Sequence, residues 1–488
     1  MRTWELSVPL DEASPTPLFV QIARALSEDI RRGRLKPGAA LPGSRALATT
    51  LRVHRNTVLA AYQELEAQGW ISTAPARGTF VSSALPDVEP APPAASPRSR
   101  TLDSVGFALE PPLRTREPVD FPRGALVLSG GTPDVRLLPV EVLARAWRRA
   151  FKLGGQRLLD YAGPQGHPRL RAALAQMLAS VRGLAATPDS LLVTRGSQGA
   201  LFLAARALVR PGDRVAVEAL GYRPAWEALR SVGAQLVPIP VDEEGIRVDK
   251  LEAAAARHGL RAVYLTPHHQ YPTTVTLSPA RRLALLAWAR SSGCALIEDD
   301  YDHEFHYEGR PVLPLASADR DNVVIYVGTL SKVLAPGLRV GFLFAPIPFI
   351  QRATSIRAVV DRQGDLVAEY ALAELLEEGE LQRHVRKMRG VYRSRRDALV
   401  EALHKELSGA LDFTVPAGGM TLWARCAPGL DAAAWARSAS TLGAWFSHGG
   451  QYTFDGQPLP AVRLGYAGLK ESELREAVRR MTRARPRK

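Results

Sequence analysis

Apolar residues recur at helical spacing through the first 70 residues. They run through Pro17-Leu18-Phe19-Val20-Gln21-Ile22, then Leu35 to Ala48, then Leu51 to Tyr62 and Leu65. The break at Leu51 to His54, between two helical runs, has the length of a helix-turn-helix turn. Gly69 to Ala74 and Gly78 to Val81 then read as two strands around a turn, a wing. Periodicity alone leaves an accessory or dimerisation domain equally open.

Further along, the pattern changes to strand-helix alternation. Leu191 to Leu201 reads as strand, tight glycine turn and helix. Cys294 to Asp302 reads as a buried strand ending in carboxylates and a phenol, and Val323 to Tyr326 as another apolar strand. Arg475 to Lys488 has the pattern of an amphipathic helix that frays into a basic tail. Between the two regimes, Ser83 to Gly124 holds nine prolines, densest at Pro90-Ala91-Pro92-Pro93 and Glu110-Pro111-Pro112. Such a stretch cannot supply a packed core and works as a semi-rigid spacer. The expected organisation is a winged helix-turn-helix unit over 1–83, a linker over 84–124 and a large domain over 125–488.

Composition adds limits. At 488 residues with 46% hydrophobic content, the chain is long enough for roughly two or three globular domains. The formal charge of +14 suits a polyanion, but residues 1–83 carry only +3 of it, so charge alone does not locate the DNA-binding part. Two cysteines, Cys294 and Cys426, both beside apolar residues, suggest neither a disulfide framework nor a metal site. No charged start precedes an apolar stretch and no run approaches membrane-spanning length, so a cytoplasmic location is expected.

Three segments carry candidate chemistry. Val327 to Phe342 places Lys332 in a loop with Thr329, Ser331 and Arg339; an amine that condenses with a carbonyl has to be held against a fixed target, and hydroxyls plus an arginine can clamp a phosphate. Asp299 and Tyr301 stand at the carboxyl end of a strand, where α/β sheets bind ligands and where an aspartate can keep a pyridine nitrogen protonated. Gly196, Ser197 and Gln198 open a helix, and free N–H groups there favour a phosphate.

From about Leu128 onward these segments resemble a fold-type I pyridoxal-phosphate enzyme of the aminotransferase superfamily. The resemblance implies a mostly parallel central sheet with a smaller C-terminal α+β lobe, and pyridoxal 5'-phosphate as cofactor. It implies that Lys332 carries the cofactor covalently, that Asp299 pairs with the pyridine nitrogen and that Tyr301 approaches the ring hydroxyl. Gly196, Ser197, Gln198, Thr329 and Arg339 would hold the phosphate, Tyr222 would stack on the ring and Arg463 would grip a substrate or effector carboxylate. One departure stands out: where aminotransferases carry Asn-Pro-x-Gly, this chain has His268-His269-Gln270-Tyr271-Pro272-Thr273-Thr274, which makes ordinary transamination less secure and leaves His269 as a further site candidate.

The N-terminal strings resemble the α+β winged helix-turn-helix domain of GntR-type bacterial repressors. That implies that Ser44, Arg45, Arg55, Asn56 and Thr57 face double-stranded operator DNA, with Gly78 at the wing tip; His54 stands where the family favours serine or threonine, and Gly43 where it favours serine. The order of winged helix, proline-rich linker and aminotransferase-like domain resembles the MocR subfamily of GntR regulators. This implies a homodimer, head-to-tail, that senses pyridoxal phosphate, alone or joined to an amine or amino acid, and controls vitamin B6 or amine metabolism. An active aminotransferase with an appended domain is the competing expectation, and a DNA-binding protein with a dead cofactor pocket is a third.

Overall fold

The computed structural model describes residues 8–11, 13–74, 77–85, 107–109, 120–309 and 312–486. Both proline-dense spots of the expected linker, and the last two residues of the basic tail, lie outside the described residues. Contacts divide the chain into two compact units, Met1–Glu117 and Pro118–Lys488.

In the first unit, α1 (Leu18–Arg31), α2 (Ser44–Leu51) and α3 (Arg55–Ala67) precede β1 (Ile71–Ala74) and β2 (Gly78–Val81), an antiparallel pair in which Ile71 faces Val81. The helical periodicity has a direct cause: Ile22, Leu26, Ile30, Leu47, Val58, Tyr62 and Leu65 meet Trp70, Ile71 and Val81 in one core. The turn between α2 and α3 is three residues long, and Arg52 closes α2 in the left-handed region at φ 57°. His54 caps α3, its Nδ1 accepting the Asn56 N–H at 3.2 Å, so the imidazole does the work that a serine hydroxyl does at other helix starts.

The second unit is built on a seven-stranded sheet. In chain order its strands are β3 (Leu191–Thr194), β4 (Arg214–Glu218), β5 (Gln235–Ile239), β6 (Ala262–Leu265), β7 (Ala295–Asp300), β8 (Val324–Thr329) and β9 (Gly341–Phe344), and in space they run β3-β9-β8-β7-β6-β4-β5. β9 is antiparallel to both β3 and β8; every other pairing is parallel. Apolar layers cover both faces, which is why the strands read as unbroken apolar runs. In β3, Leu191 and Val193 join a layer with Tyr326, Phe342 and the helices Pro168–Arg182 and Leu366–Glu377, whereas Leu192 points into the opposite layer with Val215, Val327 and Trp226.

The smaller lobe follows. Strands β10 (Leu411–Asp412), β11 (Thr421–Cys426), β12 (Ser447–His448) and β13 (Ala461–Gly465) form an antiparallel sheet in the order β10-β11-β13-β12. It packs on the helix Glu380–Leu407 and the terminal helix Glu471–Ala484, which buries Leu474, Ala477, Val478 and Met481. The terminal helix begins four residues ahead of the segment marked by its sequence pattern. Among the described residues, no helix is long and apolar enough to cross a membrane.

Candidate functional site

Parallel strands deliver their carboxyl ends to one edge of a sheet. Here β6, β7 and β8 bring Thr266 to Tyr271, Asp299 to Asp302, and Thr329 to Lys332 to that edge. Lys332 follows β8 and donates from Nζ to the carbonyl of Gly131 at 2.8 Å. Burial, reinforced by the Arg463 guanidinium and opposed by Asp302 and Asp299, lowers its amine to about 8.

Asp299 is buried one residue from the end of β7. Its Oδ2 accepts from the Tyr264 hydroxyl at 2.9 Å, while Oδ1 has no hydrogen-bond partner. Burial pushes the carboxyl up to about 7, Asp300 and Asp302 add to the shift, and Tyr264 and Lys332 oppose it. Arg463, on β13, is 3% exposed, and its guanidinium lies over the Tyr271 ring at 4.4 Å. Its Nε is buried and unpartnered. Tyr222 precedes the helix Arg223–Ser231 and meets Tyr271 edge-on at 5.3 Å.

At the other end of the pocket, the helix Gly196–Leu208 starts with Gly196 at φ 69°, a conformation that favours glycine. Gly341 opens β9 against this start: a Cβ there would stand 2.6 Å from the Gly196 carbonyl carbon and 2.8 Å from the Ser197 nitrogen, so only glycine lets the strand come this close. Arg339 reaches the same helix start, donating to the Arg195 carbonyl at 3.3 Å. Thr329 is buried and accepts the Ser331 N–H, and the Ser331 hydroxyl is buried without a partner.

Three predicted residues have side chains engaged by partners within the chain. The Tyr301 hydroxyl donates to the backbone carbonyl of His269 at 3.0 Å rather than standing free. The His269 ring pairs through Nδ1 with Asp302 Oδ1 at 2.7 Å; burial alone would lower its basicity, but the neighbouring carboxylate raises it. The Gln198 side-chain amide donates to the Pro224 carbonyl at 2.8 Å, which leaves its backbone N–H as the group at the helix start. Tyr264 and Gly131 carried no local signal in the sequence. Tyr271 and Gly341 lay inside segments singled out there, but with no role attached to either.

In the winged unit, the starts of α2 and α3 come together, Arg55 Nε donating to Ser44 Oγ at 3.3 Å. Arg45, Arg55 and Asn56 are exposed, while Ser44 and Thr57 are half-buried. Gly78, at φ 112°, is exposed opposite Ala74 on the last described rung of the wing; residues 75 and 76 at its turn lie outside the described residues.

A helix-turn-helix with a wing, followed by an α/β domain with a lysine-aspartate pocket at its strand ends, defines the class: a DNA-binding regulator with an aminotransferase-like domain. Residues 18–81 match the profile of the bacterial regulatory proteins of the gntR family, and residues 126–481 that of the class I and II aminotransferases. The chain is 33% identical to the probable rhizopine catabolism regulatory protein MocR of Rhizobium meliloti over 96% of its own length and 94% of that protein. It is also 33% identical, over 82% of each chain, to the pyridoxine biosynthesis transcriptional regulator PdxR of Corynebacterium glutamicum. Among solved structures, the α-aminoadipate aminotransferase LysN of Thermus thermophilus, complexed with N-(5'-phosphopyridoxyl)-L-leucine, is 32% identical with a TM-score of 0.69, covering 74% of this chain and 92% of LysN. The chain belongs to the MocR-type GntR regulators.

Proposed function

We propose that the protein is a transcriptional regulator whose operator binding responds to pyridoxal phosphate held at Lys332. The observation that carries this is the donor set of the pocket. A buried carboxylate oxygen without a partner, a lysine amine brought near neutrality, and a glycine-opened helix start beside an arginine fit the three chemically distinct parts of that cofactor. When bound, pyridoxal phosphate supplies an aldehyde that condenses with amines and a pyridine ring that withdraws electrons.

The chain's own residues would divide the work as follows. Asp299 Oδ1 receives the pyridine N–H, and Tyr264 holds the other carboxylate oxygen so that the free one stays aimed. The N–H groups of Gly196, Ser197 and Gln198, with Thr329, Ser331 and Arg339, take the phosphate. Tyr222 lies on the ring face. Arg463, held over Tyr271 with an unpartnered Nε, takes the carboxylate of an amino-acid effector. Tyr301 fixes the His269 backbone and only borders the ring.

A second copy of the chain completes the reading, in a head-to-tail homodimer. What supports the pairing of two copies is the set of large apolar side chains left exposed along and after the helix Val140–Gly154: Val140, Phe151, Leu153, Leu159 and Tyr161. Cofactor, with or without an amine, would favour one arrangement of the large domain and thereby the spacing of the two DNA readers.

Gel-shift or footprinting on the gene's own upstream region, with and without pyridoxal phosphate, is expected to show specific binding whose affinity or pattern changes. Unchanged binding in the two states rejects the sensing mechanism. If the chain is instead an active aminotransferase, an amino donor and a keto acid will turn over at about ten per second. Arg55→Ala is expected to weaken operator binding by about 1–3 kcal/mol if the guanidinium reads a base edge. The same variant should leave cofactor retention intact, and a loss of both would show that the two units are not independent.

A further inference from the structure

Four histidines crowd the strand ends beside the cofactor pocket, and the reading above uses only one of them. His268 follows β6, and Asp300 ends β7 with His303 three residues on. Two trios, His268-Asp300-His303 and His268-His269-His306, each have ligand atoms within 4.8 Å of one another. In the first trio all three side chains are buried, with relative exposures of 3%, 2% and 1%.

The bonding of this trio is incomplete. Neither ring nitrogen of His268, and neither of His303, has a hydrogen-bond partner. His303 Nδ1 lies 3.1 Å from Asp300 Oδ2, so the ring and the carboxylate already face one another. Asp300 Oδ2 accepts from the Tyr326 hydroxyl at 2.6 Å, and its Oδ1 is unpartnered. An unmet buried polar group costs about 1–3 kcal/mol, and the imidazole nitrogens and single carboxylate oxygen left this way are donor atoms suited to a ligand with vacant coordination positions. The rings of His268 and His303 lie 4.7 Å apart, centroid to centroid. Tetrahedral ligands at zinc stand about 3.3 Å from one another, so small side-chain rotations are enough to close the set.

We propose that His268, His303 and Asp300 bind one divalent transition-metal ion of the zinc class. Two imidazole nitrogens and one carboxylate oxygen suit zinc, nickel or cobalt far better than magnesium or calcium, and three protein ligands leave one coordination position open. The second trio is less suited: Nδ1 of His269 is already committed to Asp302, and His306 is only half-buried. The ion would tie the end of β7, which carries Asp299, to the segment after β6, giving the large domain an input separate from the cofactor. None of the three ligands is among the residues assigned to hold pyridoxal phosphate.

The test uses the full chain without a histidine tag, stripped by chelator and titrated with Zn2+ against a chromophoric competitor. About one equivalent per chain is expected to bind. Cobalt(II) in the same site should give visible ligand-field bands, and added Zn2+ should raise the melting temperature of the wild-type chain, a readout that needs no variant. His268→Asn and His303→Asn are each expected to weaken binding by at least roughly a hundredfold, since even changes in groups supporting ligands cost about 10–100-fold. His258→Ala, at an exposed histidine, should leave it unchanged. No uptake by wild type, or equal uptake by wild type and both variants, overturns the site. Loss on His306→Ala with retention on His303→Asn overturns this ligand set. Cofactor absorption and operator binding are read separately, so failure of the metal site is distinguishable from failure of the regulator reading.

Discussion

Lys332→Ala is expected to abolish covalent retention of pyridoxal phosphate completely: after incubation with the cofactor and desalting, the variant should be colourless where wild type shows a visible band. The wild-type amine is prepared by its surroundings. Burial and Arg463 bring it down to about 8, so at neutral pH its reactive neutral fraction is about 300-fold larger than that of an ordinary lysine. Attachment to wild type should therefore quicken as pH rises through about 8 and then level off. The substitution leaves the winged unit folded, because that unit has its own core around Ile22, Leu26, Val58 and Leu65. Operator binding should persist in Lys332→Ala while its response to cofactor disappears. A visible band that survives in the variant would move the attachment point elsewhere and remove the basis for sensing.

How much of this was legible in the sequence depends on whether the signal is continuous. Strand β8 with its lysine loop, and β7 with its carboxylates, are unbroken runs, so position along the chain and position in the site coincide. The same holds for α2, the turn and α3, where apolar spacing reports one small core. Residues that serve the site across the sheet left no such trace. Tyr264 is one more large side chain in a buried strand until β6 and β7 pair and bring its hydroxyl to Asp299. Gly341 is one glycine among 39 until β9 lies against the start of the helix Gly196–Leu208.

Substitutions at known motif positions were visible, but their consequences were not. His54 could be seen to replace a serine or threonine, yet only the structure shows its ring nitrogen taking over the cap. The histidine cluster was missed for a related reason. Two isolated cysteines carry no metal signal, and His268 and His303 are 35 residues apart until parallel neighbours align their ends. The expectation of no metal came from cysteines alone and said nothing about imidazoles.

Asp299→Asn should stabilise the cofactor-free protein above neutral pH while weakening its hold on pyridoxal phosphate. Burial raises the Asp299 carboxyl to about 7 in the folded chain, against about 4 when unfolded. Below about pH 4 both states are protonated and the group costs nothing. Between about pH 4 and 7 the unfolded chain gives up the proton and the folded chain does not, so stability is lost as pH rises, and above about 7 the penalty levels off at its maximum. The gap of about three units corresponds to at most about 4 kcal/mol. An asparagine keeps an oxygen for the Tyr264 hydroxyl and has no proton to lose, so it removes the penalty. Denaturant unfolding of the cofactor-free proteins should therefore give the variant an advantage of about 2–4 kcal/mol near pH 8 and none near pH 4. With pyridoxal phosphate the order should reverse, because the variant lacks the negative charge that a protonated pyridine requires. An advantage of equal size at both pH values would mean that burial does not hold the Asp299 proton in the cofactor-free protein, and a cofactor hold unchanged in the variant would remove the pairing of this carboxylate with a pyridine nitrogen.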